Sequence, residues 1–181
     1  MNPNLVFRNE WLLLIFLVFG GFALGYLFER LILARLSRFA ARTGWEPNEI
    51  VVRSFRGMSF LWFPAGGIYA ALLTLRLDRD SQGIAHSLLL VLMIFSFTLV
   101  AVRIAAGFVE LYARKAGGVF LSTSIFTNVT RILIFIVGIL VILQSLGISI
   151  APLLTALGVG GLAVALALQD TLSNLFAGIH R

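Results

Sequence analysis

The sequence predicts an all-α membrane protein with five transmembrane helices in each protomer. Hydrophobic residues occupy 60% of the 181 positions and charged residues only 12%, whereas a soluble domain carries about 25% charged residues. The uncharged runs are long enough to cross a bilayer core of about 30 Å as helices, at about 1.5 Å per residue. Polar segments that contain most of the arginines separate these runs. An ordinary soluble domain is therefore excluded.

The first part of the chain, residues 1–83, is predicted to be a peripheral transmembrane region with spans at 11–28 and 57–75. The first run is too long for the apolar part of a signal peptide and has neither a dominant basic leader nor a convincing cleavage site. We therefore interpret it as a membrane span. Pro64 lies inside the second run and predicts a kink there.

A basic segment links these two spans and predicts contact with anionic lipid headgroups. Its arginines recur on one face of a helix that leaves the membrane, which favours an interfacial position over a nucleic-acid-binding role. After a stop at Gly44, Glu46 and Glu49 place acidic side chains in the first turn of a new helix. The predicted headgroup contacts, including two from the next region, are Arg35, Arg38, Arg42, Arg103 and Arg131.

Residues 84–150 are predicted to form the core sensor helices, with spans at 84–102 and 131–146. The first of these helices is expected to continue beyond its span to Lys115 and to stop at the glycine pair that follows. A tight connection then leads to Ala151. The second sensor helix and the last apolar helix are therefore predicted to form an antiparallel hairpin.

The last region, residues 151–181, combines an uncharged apolar helix with a following amphipathic helix. Successive residues of a helix lie about 100° apart around its axis, so the residues sort into faces. One face is predicted to contain Thr155, Val159, Leu162, Leu166, Gln169 and Ser173. Two flanks of small residues lie beside it: Ala156, Gly160, Ala163 and Ala167 on one side, and Gly158, Gly161 and Ala165 on the other. The apolar residues of the amphipathic helix are Leu172, Leu175, Phe176 and Ile179.

The two small flanks allow two interpretations of this helix. Small residues let membrane helices approach closely, and copies that touch head to tail through both flanks close into a ring. Leu162 and Leu166 would then form apolar collars around the ring axis, and such a constriction closes a pore by dewetting. Alternatively, the helix is buried inside a secondary transporter or another polytopic membrane protein.

The segment Gly161–Gly178, GLAVALALQDTLSNLFAG, resembles the pore-helix signature of the small-conductance mechanosensitive channel family, close to G-L-A-V-G-L-A-L-Q-G-S-L-S-N-L-x-A-G. The resemblance implies a homoheptamer whose constriction is formed by Leu162 and Leu166. It also implies a channel that membrane tension opens, so that ions and small solutes are released on hypoosmotic shock. The sequence departs from the pattern at two glycines, where it has Ala165 and Asp170.

The hinge at the end of the pore helix is expected at Gln169, Asp170 and Gly178. Asp170 replaces the glycine at which the family's pore helix kinks, and aspartate is a good N-cap. We therefore expect a helix end and restart at this point. The family core has three spans, so the two earlier spans are expected to be additional peripheral helices. The family continues into a cytoplasmic vestibule, which is expected to be missing or not included in a sequence that ends at Arg181.

The distribution of charge predicts the orientation in the membrane. Of the 14 basic residues, 11 lie in 29–56, in 103–131 and at the C-terminus, whereas three lie at the N-terminus and in 76–83. By the positive-inside rule, the N-terminus is periplasmic and the C-terminus cytoplasmic. Together with the resemblance, this predicts a multi-pass protein of the bacterial inner membrane.

Few patterns in the chain indicate other chemistry. Residues 158–163 fit the dinucleotide pattern G-x-G-x-x-A, but no strand precedes them and no acidic residue follows at the required distance. His86 and His180 are far apart without acidic or cysteine partners, so no metal site is predicted. No acids, bases or nucleophiles converge, so we expect neither enzyme activity nor a cofactor. The expected partners are further copies of the chain, membrane lipids, and permeating ions and small solutes, and not nucleic acid.

Overall fold

The computed structural model is entirely helical within the residues that it describes, which are 3–33, 35, 46–74, 78–115 and 123–179. The helices are α1 (Pro3–Phe28), α2 (Glu46–Phe55), α3 (Ser59–Thr74), α4 (Arg79–Lys115), α5 (Thr123–Ser145), α6 (Ala151–Ala167) and α7 (Gln169–Ile179). A π-helical turn at Glu29–Leu33 extends α1. No strand occurs in this part of the chain, which confirms the predicted all-α class.

Several helix boundaries follow from local signals in the sequence. Helix α1 ends at Phe28, just before the first charged residue that follows the apolar run. Helix α2 begins at Glu46. The partial positive charge of a helix N-terminus stabilises acidic side chains in the first turn. Helix α4 continues beyond its apolar run to Lys115, as predicted. Helix α3 includes Pro64 in its interior.

Helices α1 and α3 approach closely because glycines line their contact. A Cβ atom at Gly21 would lie 2.7 Å from the carbonyl oxygen of Phe63. On the α3 side, a Cβ atom at Gly67 would lie 2.5 Å from the carbonyl oxygen of Leu17. Gly25 stands four residues after Gly21 and therefore on the same face, which is the spacing of closely packed membrane helices. A larger residue at these positions would push the two backbones apart.

Helices α4 and α5 form the second closely packed pair. Gly138 of α5 lies against the side chain of Thr98, so closely that a Cβ atom at this position would overlap it. The buried Thr98 hydroxyl donates to the carbonyl of Ile94 at 2.8 Å, which satisfies it within α4. The rings of Phe95 and Phe135 meet edge to face with centroids 6.0 Å apart. The pair is thus held by the close contact of Gly138 with Thr98 and by aromatic packing.

Trp62 connects α3 to the neighbouring helices α2 and α4. Its Nε1–H donates to Ser96 Oγ at 2.7 Å, and Ser96 Oγ in turn donates to the carbonyl of Met93 at 2.8 Å. The Trp62 ring stacks on Phe97 at a centroid distance of 4.7 Å and meets Phe55 edge to face at 5.8 Å. A buried indole N–H needs an acceptor, and the Ser96 hydroxyl supplies one. These contacts hold α2 and α3 against the long helix α4.

Two of the described helices are long and apolar enough to cross a membrane by length and composition. They are the stretches Asp80–Lys115 and Ser124–Ser145. The apolar stretches Ser59–Leu73 and Ala151–Ala167 are shorter. The strongly apolar character of the helices is therefore confirmed for α4 and α5, whereas the arrangement with five spans stays a prediction.

Candidate functional site

The connection between α5 and α6 is a glycine-terminated helix end. Gly147 has a φ of +80°, and its N–H donates to the carbonyl of Gln144 at 3.0 Å. The N–H of Ile148 donates to the carbonyl of Leu143, also at 3.0 Å. This pair of bonds is a Schellman motif, which satisfies carbonyls that a helix end leaves free and favours glycine at the left-handed position. Helix α6 then begins at Ala151, so the connection is as short as predicted.

Helix α6 begins with residues that suit a helix N-terminus. Pro152 lies in the first turn, where its missing N–H has no intrahelical partner to lose. The Thr155 hydroxyl donates to the carbonyl of Ala151 at 2.9 Å. Further along, three glycines interrupt a series of alanines and leucines, and each costs about 1 kcal/mol relative to alanine in a helix interior. These glycines are Gly158, Gly160 and Gly161.

The outer surface of α6 is uncovered in the protomer. Every residue from 151 to 171 is exposed, with Leu162 and Leu166 each 62% exposed. Within the described part of the chain, α7 is the only helix that contacts α6 to an appreciable extent. The structure thus differs from the predicted hairpin, because α5 packs along α4 and not along α6. The physical reason is the close approach at Gly138, which gives α5 its partner within the protomer.

The small flanks of α6 are open, unlike the glycines at the helix contacts described above. A Cβ atom at Gly158, Gly160 or Gly161 would meet no other atom within 4 Å. The four alanines of the flanks are exposed as well, namely Ala156, Ala163, Ala165 and Ala167. Gly21 and Gly138, by contrast, already face a packed neighbour. The small residues of α6 therefore serve no packing contact within one protomer.

The pore-helix segment is interrupted at Leu168. Helix α6 ends at Ala167, and α7 begins at Gln169 with Asp170 in its first turn. The Leu168 N–H still donates to the carbonyl of Val164 at 3.0 Å, so the break is a single-residue turn. The helical wheel that predicted Gln169 on the face of Leu162 assumed one continuous helix.

The break separates the predicted lining residues into two groups. Thr155, Val159, Leu162 and Leu166 belong to one helix, and we retain their common face as a prediction. Gln169 and Ser173 belong to α7, so the wheel alone no longer supports their position on that face. Gly178 lies within α7, and the hinge role of this residue and of Gln169 and Asp170 stays a prediction.

Two arginines that were predicted as headgroup contacts have partners within the protein. One guanidinium nitrogen of Arg103 donates to the carbonyl of Arg56 at 3.3 Å. Arg131 pairs with Glu110 at 3.4 Å, and both side chains are about half exposed. Sequence analysis missed these partners because they are distant in the chain and no local pattern indicates them.

The remaining predicted headgroup contacts come from the segment after α1. Arg35 is exposed. Arg38 and Arg42 lie outside the described residues. The headgroup role of all five arginines stays a prediction.

The described side chains offer no arrangement for metal chemistry. Among these residues, no group of three or more His, Cys, Asp or Glu side chains is placed to hold a metal ion. The His86 ring lies 6.1 Å from the ring of Tyr69, and His180 lies outside the described residues.

The segment that forms α5, the connection and α6 matches a known family. The family model described as "Mechanosensitive ion channel, transmembrane helices 2/3" matches residues 128–169. The small-conductance mechanosensitive channel MscMJ of Methanocaldococcus jannaschii is 56% identical over 52 residues, which are 29% of this chain and 15% of that protein. The large-conductance channel MscMJLR of the same organism is 52% identical over 52 residues, again 29% of this chain and 14% of the relative. No solved structure matches.

A third relative extends the match. The low conductance mechanosensitive channel YnaI of Escherichia coli K12 is 42% identical over 65 residues, covering 36% of this chain and 19% of YnaI. Most of α5 and all of α6 are thus similar to transmembrane helices of mechanosensitive ion channels. Within that class the similarity is to MscS-like channels, which confirms the family that the sequence resemblance indicated. The matches span less than a fifth of the length of each of these relatives.

These relatives and the apolar helices together indicate a multi-pass membrane protein. The family is one of ion channels, which are not enzymes.

Proposed function

We propose that this chain forms the membrane region of a tension-gated ion channel whose pore is lined by α6 from several copies of the chain. The observation that carries the proposal is the complete exposure of α6 in the protomer. An apolar helix in this position contacts either lipid or further protein. The composition of α6 favours protein, because a helix that faces only lipid gains nothing from three glycines that weaken it.

The open flanks suit contacts between copies of the chain. The flank that contains Gly160 and the flank that contains Gly161 lie on opposite sides of α6, and neither has a neighbour within the protomer. A contact of one flank with the other on the next copy is heterologous, and repetition of such a contact closes a ring. We propose a homoheptamer, following the family resemblance. Leu162 and Leu166 then face the axis as two apolar collars.

Tension acts on this assembly through the area that each conformation occupies in the membrane. Tension shifts the population towards an open state only if that state occupies more area in the bilayer plane. Helices α4 and α5 move as one unit because Gly138 packs on Thr98. The short connection at Gly147 links that unit directly to Ala151 of α6. An outward movement of the pair therefore pulls α6 away from the axis and widens the collar.

The physiological setting follows from the same proposal. The channel lies in the bacterial inner membrane with a periplasmic N-terminus and a cytoplasmic C-terminus, and it releases ions and small solutes after hypoosmotic shock. In this arrangement residues 1–83 form the periphery, 84–150 the tension-sensing pair and 151–181 the pore region. The charge distribution along the sequence supports this orientation.

Patch-clamp recording under graded suction tests the proposed function. The full-length protein is expected to give currents that begin above a threshold of tension. Leu166→Ser replaces an apolar collar with a polar one, so it is expected to leak at low tension. Leu157→Ser on the opposite face is the matched control and is expected to keep the original threshold. An unchanged threshold without leak in Leu166→Ser would show that Leu166 does not form the constriction.

A secondary transporter with a buried Ala/Gly-rich helix is the alternative. Such a protein would cover α6 within one protomer, whereas α6 is exposed on all sides. The mass of the solubilised particle separates the two functions, because a transporter of this kind is complete as a monomer.

A further inference from the structure

A cavity lined by arginines lies where α2, α4 and α5 meet, away from the proposed pore. Its volume is about 860 Å³, within the range of small-molecule sites in proteins. Five arginines and two glutamates contribute to its walls, an excess of three positive charges. These charged residues are Glu29, Arg53, Arg56, Arg103, Glu110, Arg114 and Arg131.

We propose that this cavity binds the headgroup of an anionic membrane phospholipid, with the phosphate on the arginines. Guanidinium groups bind phosphate oxygens in pairs of parallel hydrogen bonds. Basic pockets between membrane helices are sites at which acidic lipid headgroups bind. The proposal concerns binding alone and does not depend on the channel function proposed above.

The position of the cavity along the helices favours a lipid over a free phosphate ion. Arg103 directly follows the apolar run of α4, and Arg131 directly precedes the apolar run of α5. Both therefore stand at the level where a helix leaves the membrane core. Apolar side chains complete the walls below the charged groups, among them Leu99 and Val102. A ligand with a phosphate and an attached acyl chain fits both parts of this wall.

Part of the arginine charge is available to a ligand. Arg53 is exposed and makes no side-chain hydrogen bond or ion pair with another described residue. Arg131 is paired with Glu110 at 3.4 Å, but both side chains are about half exposed. Exposed ion pairs of this kind contribute little free energy, so a phosphate can replace Glu110 as the partner of Arg131 at little cost in stability. Arg103 is held in place through its bond to the carbonyl of Arg56 at 3.3 Å.

Glu29 is occupied by the protein itself and does not compete for the arginines. One of its carboxylate oxygens accepts a hydrogen bond from the backbone N–H of Gly57 at 3.1 Å. The other oxygen is shielded from solvent and has no hydrogen-bond partner within the described residues. An oxygen that solvent does not reach is closed to a bound headgroup as well, so this carboxylate holds the Gly57 turn and leaves the phosphate to the arginines. Phosphatidylglycerol carries the net negative charge that matches the excess of arginines in the walls.

Native mass spectrometry of the detergent-solubilised full chain tests the proposal. Phosphatidylglycerol and phosphatidylcholine with identical acyl chains are titrated separately, and the fraction of protomers with bound lipid gives the affinity. We expect phosphatidylglycerol to bind more tightly, and added inorganic phosphate not to displace it. Equal affinity for the two lipids would contradict the proposal. Displacement by inorganic phosphate would instead identify a site for the free ion and would equally overturn the lipid assignment.

Variants locate the binding in the cavity. Arg53→Gln is expected to weaken phosphatidylglycerol binding about fivefold, since one cation near an anionic lipid contributes about that factor. Lys115→Gln removes the same charge from an exposed position that does not line the cavity, and the affinity of this variant for phosphatidylglycerol is expected to stay within about twofold because salt screens the lost charge. An equal loss in both variants would mean diffuse surface attraction and would refute the cavity.

A variant that is expected to increase the affinity for phosphatidylglycerol keeps the test valid if Arg53→Gln does not fold. Glu110→Gln removes a negative charge and releases Arg131, so phosphatidylglycerol is expected to bind about fivefold more tightly. Unchanged or weaker binding in a folded Glu110→Gln protein would contradict the proposal. Circular dichroism verifies that each variant retains its helical content.

Discussion

Substitution of Gly160 by leucine separates the two environments that α6 could have. Nothing within the protomer lies within 4 Å of a Cβ atom at this position. Within one chain, Gly160→Leu therefore meets no steric obstacle, and it strengthens the helix by up to about 1 kcal/mol because glycine is a poor helix former. That gain is present in the single protomer and in the assembly, so it does not alter the association between copies.

The effect on assembly is expected to be large and unfavourable. Added side-chain volume in a closely packed contact costs about 1–3 kcal/mol. If the Gly160 flank touches the next copy, the association constant of each contact in the ring falls by about five- to 160-fold. A ring depends on every one of its contacts, so the loss applies around the whole assembly. Helix content is expected to remain while the particle falls apart.

Light scattering coupled to size-exclusion chromatography measures this outcome in detergent at several protein concentrations. Gly66→Leu is the matched control, because Gly66 lies in the apolar helix α3 and a Cβ atom there also has no neighbour within 4 Å. We expect the control to keep the particle mass of the original protein and Gly160→Leu to lower it. If Gly160→Leu retained the original mass at every concentration, the Gly160 flank would not be a contact between copies.

Three further substitutions test the packing within the protomer, each by thermal unfolding in detergent. Trp62→Phe removes the 2.7 Å hydrogen bond to Ser96 and is expected to lower the free energy of unfolding by about 0.5–1.5 kcal/mol. An unchanged melting temperature would argue against this contact between α3 and α4. Gly138→Val places side-chain atoms against Thr98 and is expected to cost about 1–3 kcal/mol or more, whereas equal stability would mean that α4 and α5 are further apart. Gly147→Ala forces a residue with a Cβ atom into a φ of +80°, at an expected cost of about 1–2 kcal/mol, and an unchanged melting temperature would show a different connection.

The sequence was sufficient for features that depend on neighbouring residues. Glu46 marks the start of α2 because acidic side chains favour the first turn of a helix. The stop of α5 before Gly147 follows from the ease with which glycine adopts a left-handed conformation. The helix end and restart expected at Gln169 and Asp170 lies between Ala167 and Gln169, with Asp170 in the first turn of α7, where an acidic side chain is favourable. Each of these signals acts within one turn of helix.

Contacts between distant segments could not be predicted in the same way. The acceptor of the Trp62 N–H is a serine 34 residues further along the chain. The pattern around Arg131 predicts a headgroup contact and gives no sign of Glu110, which lies beside it on the preceding helix. The pairing of α5 with α4 depends on the fit of Gly138 to Thr98, and many glycines in this sequence offered the same opportunity. In a chain that is 60% hydrophobic, apolar periodicity alone does not select partners.

Cysteine cross-linking along α6 tests the central claim most directly, since the chain contains no native cysteine. Ala163→Cys places a thiol on one flank and Ala165→Cys on the other, about 3 Å apart along the helix axis. When both are present in one chain and mild oxidant is added in the membrane, we predict a ladder of covalent oligomers that ends at the number of subunits in the ring. Each single variant is predicted to show no such ladder. If the double variant remains monomeric under oxidation, α6 does not stand beside copies of itself and the proposed pore does not exist.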